Sequence, residues 1–204
     1  MGRDSLGINI IFASKNLKNL NIGLFGGSFD PVHQGHFHIS NAAIKSLQLS
    51  QIWWLVSTRN PLKKKSQKNT VIERLNNIKI KNKNFKVKPM ALELKLGTNY
   101  SYETINFLKK RFPNVNFFWI IGADNLLIMH KWYNWKKLFY MCPVIVFDRP
   151  NYFYKSICSK AAKYFWYNRI DVKEFKKNDY CFPKWSYVKI KLDYHSSSSL
   201  RRHY

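Results

Sequence analysis

Apolar residues in this chain gather into short runs closed by glycine-bearing or polar stretches, with helical spacing in between. Ile22, Gly23, Leu24 and Phe25 form the first run, ending at Gly26-Gly27. A short run apolar on both faces suits a buried strand of a parallel sheet. From Gln34 the spacing turns helical. Phe37, Asn41, Ile44 and Gln48 fall on one stripe with Ala43 and Leu47 beside it, so one flank is expected to face a core. Residues 51–57 read as a second strand that follows the helix closely enough for a βαβ unit. Residues 71–80 predict a helix with Ile72, Leu75, Asn76 and Lys79 on its stripe and Glu73 and Arg74 exposed or paired. A third strand is expected at 85–87, and a helix at 105–111 with Ser101 as its N-cap. Residues 116–121, Asn-Phe-Phe-Trp-Ile-Ile, are apolar on both faces and predict a central strand. Another helix runs through Leu126, Leu127 and Met129, and two more strands are expected at 143–147 and 188–192. Alternation of strands and helices makes the chain α/β, and 204 residues suit one domain with a sizeable core. Residues 151–180 are aromatic and basic and carry no recognisable motif.

Composition changes this picture little. An apolar share of 46% and an aromatic share of 17% exclude a disordered chain. The net charge of +24 would attract polyanions. Yet the lysines are scattered, with one dense block at Lys63-Lys64-Lys65 and Lys68, and they accompany an excess of Asn, Ile, Tyr and Phe. General compositional bias accounts for that mixture, so charge does not choose a partner. Cys142, Cys158 and Cys181 lie far apart with no C-x-x-C pair, which suits a reducing compartment and a cytoplasmic protein. No apolar run approaches the ~18 residues of a membrane span. Residues 1–20 read as an N-terminal arm and 21–204 as the folded domain.

Candidate chemistry concentrates on the loop after the first strand. A strand, a glycine turn and a helix in that order bring free N–H groups and the positive end of a helix dipole to one point. That arrangement favours a bound anion by roughly 0.3–2 kcal/mol. His33 and His36 are three residues apart, so both imidazoles fall at the helix's first turn beside the same ligand. Zinc held by His33, His36 and His38 would lack a nearby cysteine or carboxylate to complete its shell. Neither G-x-G-x-x-G nor a Walker loop is present. Further candidates stand after other strands: Lys63 in Asn60-Pro61-Leu62-Lys63, and Gly122-Ala123-Asp124 followed by Trp132. In open α/β sheets these positions border one cleft. Asp124 could hold a sugar hydroxyl or cap a helix, and Trp132 could be core or a platform for a flat ring.

The run Gly26-Gly27-Ser28-Phe29-Asp30-Pro31-Val32-His33-Gln34-Gly35-His36 resembles the signature of the nucleotidyltransferases that carry an H-x-G-H element. Its nearest likeness is to the bacterial nicotinate-nucleotide adenylyltransferase family. Asn99-Tyr100-Ser101 with Thr104, Gly122-x-Asp124 with Trp132, Arg149-Pro150 and Ser196-Ser197-Ser198-Ser199-Leu200-Arg201 are similar to further family elements, in the same order. His195 departs from the family's usual isoleucine.

The resemblance implies a Rossmann-like open parallel sheet with helices on both faces. It implies transfer of the adenylyl group of ATP to nicotinate mononucleotide, with Mg²⁺ accompanying ATP. His33, His36, Lys63 and Arg201 would then be catalytic. Gly26, Gly27, Ser28, Phe29, Gly35, Ser197 and Ser198 would bind ATP, and Tyr100, Ser101, Thr104, Gly122, Asp124 and Trp132 the acceptor. ATP and the mononucleotide are the expected partners, with neither nucleic acid nor membrane among them and self-association left open. Two alternatives stand beside this reading. One is the same chemistry on nicotinamide mononucleotide or phosphopantetheine; the other is a basic RNA-binding module.

Overall fold

A computed structural model describes residues 17–58, 69–177 and 181–190. Its strands are β1 (Asn21–Gly27), β2 (Gln51–Val56), β3 (Val87–Met90), β4 (Asn116–Gly122), β5 (Val144–Phe147) and β6 (Trp185–Val188). Between them lie α1 (Gln34–Ser46), α2 (Val71–Lys81), α3 (Leu92–Leu96), α4 (Ser101–Arg111), α5 (Ala123–Ile128), α6 (Trp135–Met141), α7 (Phe153–Ile157) and α8 (Lys160–Tyr164). The strands form one sheet in the order β3-β2-β1-β4-β5-β6, and every neighbouring pair is parallel. Parallel strands need crossovers, and the helices supply them on both faces. The Rossmann-like α/β expectation is met.

Alternate strand residues feed two separate cores. Leu24, Trp53, Leu55, Trp119, Ile121 and Val146 pack on one face with Ile105 and Leu108 of α4, Leu126 of α5 and Phe139 of α6. Phe25, Trp54, Val56, Phe118, Ile120 and Phe147 pack on the other with Ile39 and Ala43 of α1 and Leu75 and Ile78 of α2. Leu17 and Leu20, inside the stretch read as an arm, pack against the first of these cores. Among the described residues no helix is long and apolar enough to cross a membrane.

Several expectations shift. The glycines do not end the first strand: Gly26 and Gly27 pair with Leu55 and Val56 as part of β1. Neither has a positive φ, whereas Phe29 takes φ 48°. Helix α1 buries His36, Ile39, Ser40 and Ala43, followed by Leu47, and leaves Asn41 and Gln48 exposed. The stripe through Phe37 is therefore rotated from the one that meets the core. Strand β3 begins two residues later than expected, and Phe85 is 80% exposed. Pro89 within it lacks a donor, which an edge strand tolerates. Helix α4 starts at Ser101 with Tyr100 as its N-cap, so Ser101 is a helical residue rather than the cap. Helix α5 starts at Ala123 with Gly122 at its N-cap, so Asp124 lies inside the first turn and does not cap it. The last described strand, β6, begins three residues ahead of the expected 188–192, because Trp185, Ser186, Tyr187 and Val188 pair with β5; residues 191 and 192 lie outside the described residues.

Gly26 has a packing role. A Cβ there would stand 2.6 Å from the ring of Trp119, whose indole is 1% exposed. A rigid buried ring cannot retreat, and overpacking a core costs about 1–3 kcal/mol. Gly26→Ala is therefore expected to lower unfolding free energy by about that amount, measured by urea denaturation. An unchanged midpoint would contradict this contact.

Candidate active site

In the order β3-β2-β1-β4-β5-β6 the chain leaves β1 toward one edge and later returns through β4 to build the other. The carboxyl ends of β1 and β4 therefore flank a crevice, the position where open α/β sheets bind ligands. The residues from both strand ends converge there.

After β1, Phe29 turns the chain. Its ring stacks on Trp54 at 4.6 Å and 7°, and meets Phe25 edge-on at 5.6 Å. These contacts stabilise a left-handed conformation that costs a non-glycine residue of order 1–3 kcal/mol. Phe29 is 1% exposed, so its side chain is core and only its backbone borders the loop. The turn delivers His33 to the N-cap of α1 and His36 to its third position, with both imidazoles buried and their ring centres 3.8 Å apart. The His33 N–H donates to His36 Nδ1 at 3.3 Å. That bond assigns the proton of a neutral His36 to Nε2 and leaves Nε2 as a donor. Burial lowers the proton affinity of His36, and the nearby His33 and Arg149 lower it further. Its backbone is fixed as well: Ser40 Oγ donates to the His36 carbonyl at 2.9 Å and accepts from Trp54 Nε1 at 2.9 Å.

After β4, Asp124 in the first turn of α5 faces Arg149, which follows β5. Arg149 Nε lies 3.3 Å from Asp124 Oδ1, an ion pair without hydrogen-bond alignment. Gly122 makes room for it, since a Cβ there would come within 2.8 Å of Arg149 Nε and would overlap Asp124 Oδ1. The charge of Arg149 acts on both Asp124 and His36, which ties the two strand ends into one electrostatic site.

The acceptor-side residues divide. Tyr100 is 41% exposed and packs on Tyr133 at 4.8 Å, and Trp132 is half-buried beside Trp119 at 6.5 Å. Ser101 is half-buried at the start of α4. Thr104 is fully buried and its hydroxyl donates to the Tyr100 carbonyl at 3.4 Å, so it shapes the segment from within. Gly35 is buried in the first turn of α1, and Gly27 and Ser28 are half-buried on the approach to it. Lys63, Ser197, Ser198 and Arg201 lie outside the described residues. Among the described residues no three His, Cys, Asp or Glu side chains are grouped to hold a metal ion.

The sequence marks Arg149 only as part of a family-like Arg-Pro element, leaves Arg74 exposed or paired, and gives no sign of Glu93. Arg74 and Glu93 are 1% and 4% exposed. Arg74 Nη1 donates to the Ser28 carbonyl at 2.7 Å, and Glu93 Oε2 accepts the Thr58 N–H at 3.2 Å. Burial raises the Glu93 carboxyl to about 7, against the opposing Thr58 bond and the Arg74 charge. Two apolar neighbours, Leu75 and Leu92, disguise both as surface charges on amphipathic helices.

The family model for cytidylyltransferase-like proteins matches residues 24–203, and the chain belongs to that family. Within it, the chain is 38% identical over 184 residues to the probable nicotinate-nucleotide adenylyltransferase of Rhizobium johnstonii, covering 88% of this chain and 91% of that protein. It is 35% identical to the protein of the same description from a Caulobacter species, covering 89% and 97% respectively. Among solved structures, the Plasmodium falciparum nicotinic acid mononucleotide adenylyltransferase complexed with NaAD superposes with a TM-score of 0.66 at 24% identity, over 90% of this chain and 83% of that one. That likeness speaks for the fold.

Glu93 makes stability depend on pH. Between its ordinary value of 4.5 and about 7 the native carboxyl holds a proton that the unfolded chain releases. This contribution is therefore complete below 4.5 and is lost as pH rises to about 7, a difference of about 3 kcal/mol at most. His36 acts oppositely, because its lowered affinity makes the native state gain stability as pH rises toward 6.5. The two separate in a variant: the stability of wild type relative to Glu93→Gln should fall between pH 4.5 and 7. Denaturant titrations giving a flat difference would contradict the burial of this carboxyl.

Proposed function

We propose that this protein transfers the adenylyl group of ATP to nicotinate mononucleotide, releasing pyrophosphate and deamido-NAD. The observation that carries the reading is the pair His33 and His36 at the N-terminus of α1, set at the β1/β4 crevice within reach of the Arg149 charge. Near-full-length similarity to probable nicotinate-nucleotide adenylyltransferases supports the acceptor.

In this reaction a phosphate oxygen of the mononucleotide attacks the α-phosphorus of ATP in line. One P–O bond forms as the α–β anhydride bond breaks, and the electron pair leaves with pyrophosphate. The attacking phosphate is already anionic, so no protein nucleophile and no strong base are required. Catalysis rests on positioning and on stabilising charge at the phosphoryl oxygens. The free N–H groups of α1 and the His36 Nε2 donor face the α- and β-phosphates in this reading, with His33 beside them. Arg149 supplies a permanent cation, and Asp124 is available to a ribose hydroxyl. Trp132 and Tyr100 with Tyr133 offer flat surfaces for the pyridine ring, and Ser101 and Gly122 border it. The segment bearing Lys63 and the one bearing Ser197, Ser198 and Arg201 are assigned to the leaving pyrophosphate by resemblance. Mg²⁺ is read as part of the ATP substrate, since the described carboxylates and imidazoles form no cage for it; bound there, it neutralises phosphate charge. The setting of this chemistry is read as the cytoplasm.

The test is pyrophosphate release with ATP and a panel of acceptors: nicotinate mononucleotide, nicotinamide mononucleotide and phosphopantetheine. Turnover is expected to be fastest with the first. His36→Ala, checked for folding by circular dichroism, should lower kcat a hundredfold or more, in line with the roughly 2.7–4 kcal/mol that one transition-state donor contributes. Unimpaired turnover in the folded variant would sink the assignment, as would salt-sensitive RNA binding without any pyrophosphate release by the wild type.

A further inference from the structure

Thr58 is the last described residue after β2, and each of its polar atoms is held. Its N–H donates to Glu93 Oε2 at 3.2 Å. Its carbonyl accepts from Arg74 Nη2 at 3.5 Å, a long bond from a charged donor. Its hydroxyl reaches Asn99 Oδ1 in a short contact and the Thr98 carbonyl at 3.4 Å. The groups that hold it continue into both halves of the site. Arg74 also donates through Nη1 to the Ser28 carbonyl at 2.7 Å and through Nε to the carbonyls of Asn69 and Thr70 at 3.2 and 3.3 Å. Asn69 Nδ2 in turn donates to Asp30 Oδ1 at 2.7 Å. On the other side, Thr98 Oγ1 accepts the Tyr100 N–H at 3.1 Å, which sets the entry into α4.

A buried Arg with a buried Glu is a costly way to hold a fold together. Apolar residues of similar volume commonly stabilise as well or better. What the pair provides is direction. Arg74 fixes the carbonyls of Ser28 and Thr58 on separate loops with one planar fork, and Glu93 fixes the Thr58 amide. Thr58 is consequently locked in the frame of the glycine loop, and its single hydroxyl proton passes that frame to residues 98–100.

We infer that Thr58 is a positioning residue that couples the ATP loop to the acceptor segment through its hydroxyl. This rests on the assignment of the two segments to ATP and acceptor. Coupling of this kind is reciprocal: whatever ATP does to residues 98–104, an acceptor there does to ATP binding. The charged groups facing the junction are Arg74 from α2, Glu93 from α3, Asp30 from the glycine loop and Glu103 from α4, which accepts from the Thr98 hydroxyl, and none of them is altered by a change confined to the Thr58 hydroxyl.

The experiment uses the full chain with Thr58→Val, which keeps shape and backbone bonds but removes the hydroxyl, and Thr58→Ser, which restores it. Amide hydrogen exchange is followed with and without ATP, before any acceptor is added. In wild type and Thr58→Ser, ATP should slow exchange in residues 26–36 and also in 98–104. In Thr58→Val the first protection should remain and the second should drop at least fivefold. In steady state, Thr58→Val should raise KM at least fivefold for whichever acceptor the wild type turns over at saturating ATP, and KM for ATP by a similar factor at saturating acceptor, while binding of ATP alone stays within twofold. A residue that only holds the fold would lower Tm and leave that split absent. Equal protection of 98–104 in wild type and Thr58→Val overturns the coupling, as does a wild type whose 98–104 exchange ignores ATP. Turnover of a different acceptor overturns the nicotinate reading while leaving the exchange result to decide the coupling. Absence of ATP protection at 26–36 in the wild type overturns the ATP reading and the coupling together.

Discussion

The reversal of strand order between β1 and β4 is the constraint on which this molecule depends. Each parallel connection covers a face of the sheet with a helix, and only where neighbouring strands send their chains in opposite directions does a strand edge stay uncovered. Here that edge lies between Gly27 and Gly122. Two helices, α1 and α5, begin there, and α1, at thirteen residues, has the length to present a substantial dipole. The site is thus positive before any side chain is counted. Arg149 adds a fixed cation to that character and is paired there with Asp124, while His36 adds an N–H donor.

Holding such a site open needs polar groups inside the protein, and each has to be satisfied where water cannot reach. The molecule does this with local chains of bonds: Trp54 to Ser40 to the His36 carbonyl, and Ser28 to Arg74 to Thr58. In each chain a residue buried under the sheet fixes a residue at its rim. Phe29 belongs to the same scheme in apolar form, since the Trp54 stack holds a backbone conformation that a phenylalanine would not choose. The rim is consequently rigid on the β1 side, and its geometry is set by groups that never meet a ligand.

The legibility of the chain follows from this division. Buried strands such as β4 and loops whose backbone chemistry is local could be read, because period and glycine spacing depend on neighbours in sequence. His33 and His36 could be read for the same reason: three residues on one helix turn is a local fact. Positions set by contacts distant in sequence could not. The third strand is legible but misplaced by two residues, since Pro89 argues against a strand there and only the edge position of β3 excuses the missing donor. Gly26 looked like an opening for a ligand, yet Trp119, on the neighbouring strand, fills the space its absent side chain leaves. Arg74 reads as exposed or paired with no partner named, and its partners at Ser28 and Thr58 are 46 and 16 residues away.

Charge shows the same contrast between total and arrangement. The excess of 35 basic over 11 acidic side chains is spread along the chain and selects no ligand. At the crevice a few groups do. Burial first, and then His33 and Arg149, make it harder for His36 to carry a proton, which favours a neutral imidazole beside the fixed guanidinium of Arg149. A neutral donor avoids repulsion from Arg149, and it keeps its hydrogen on Nε2 because the His33 backbone N–H occupies Nδ1. An arriving anion opposes the Arg149 charge, one of the influences that hold the proton affinity down. The imidazole then interacts most strongly where negative charge is greatest, and in phosphoryl transfer that means the oxygens around the phosphorus being attacked.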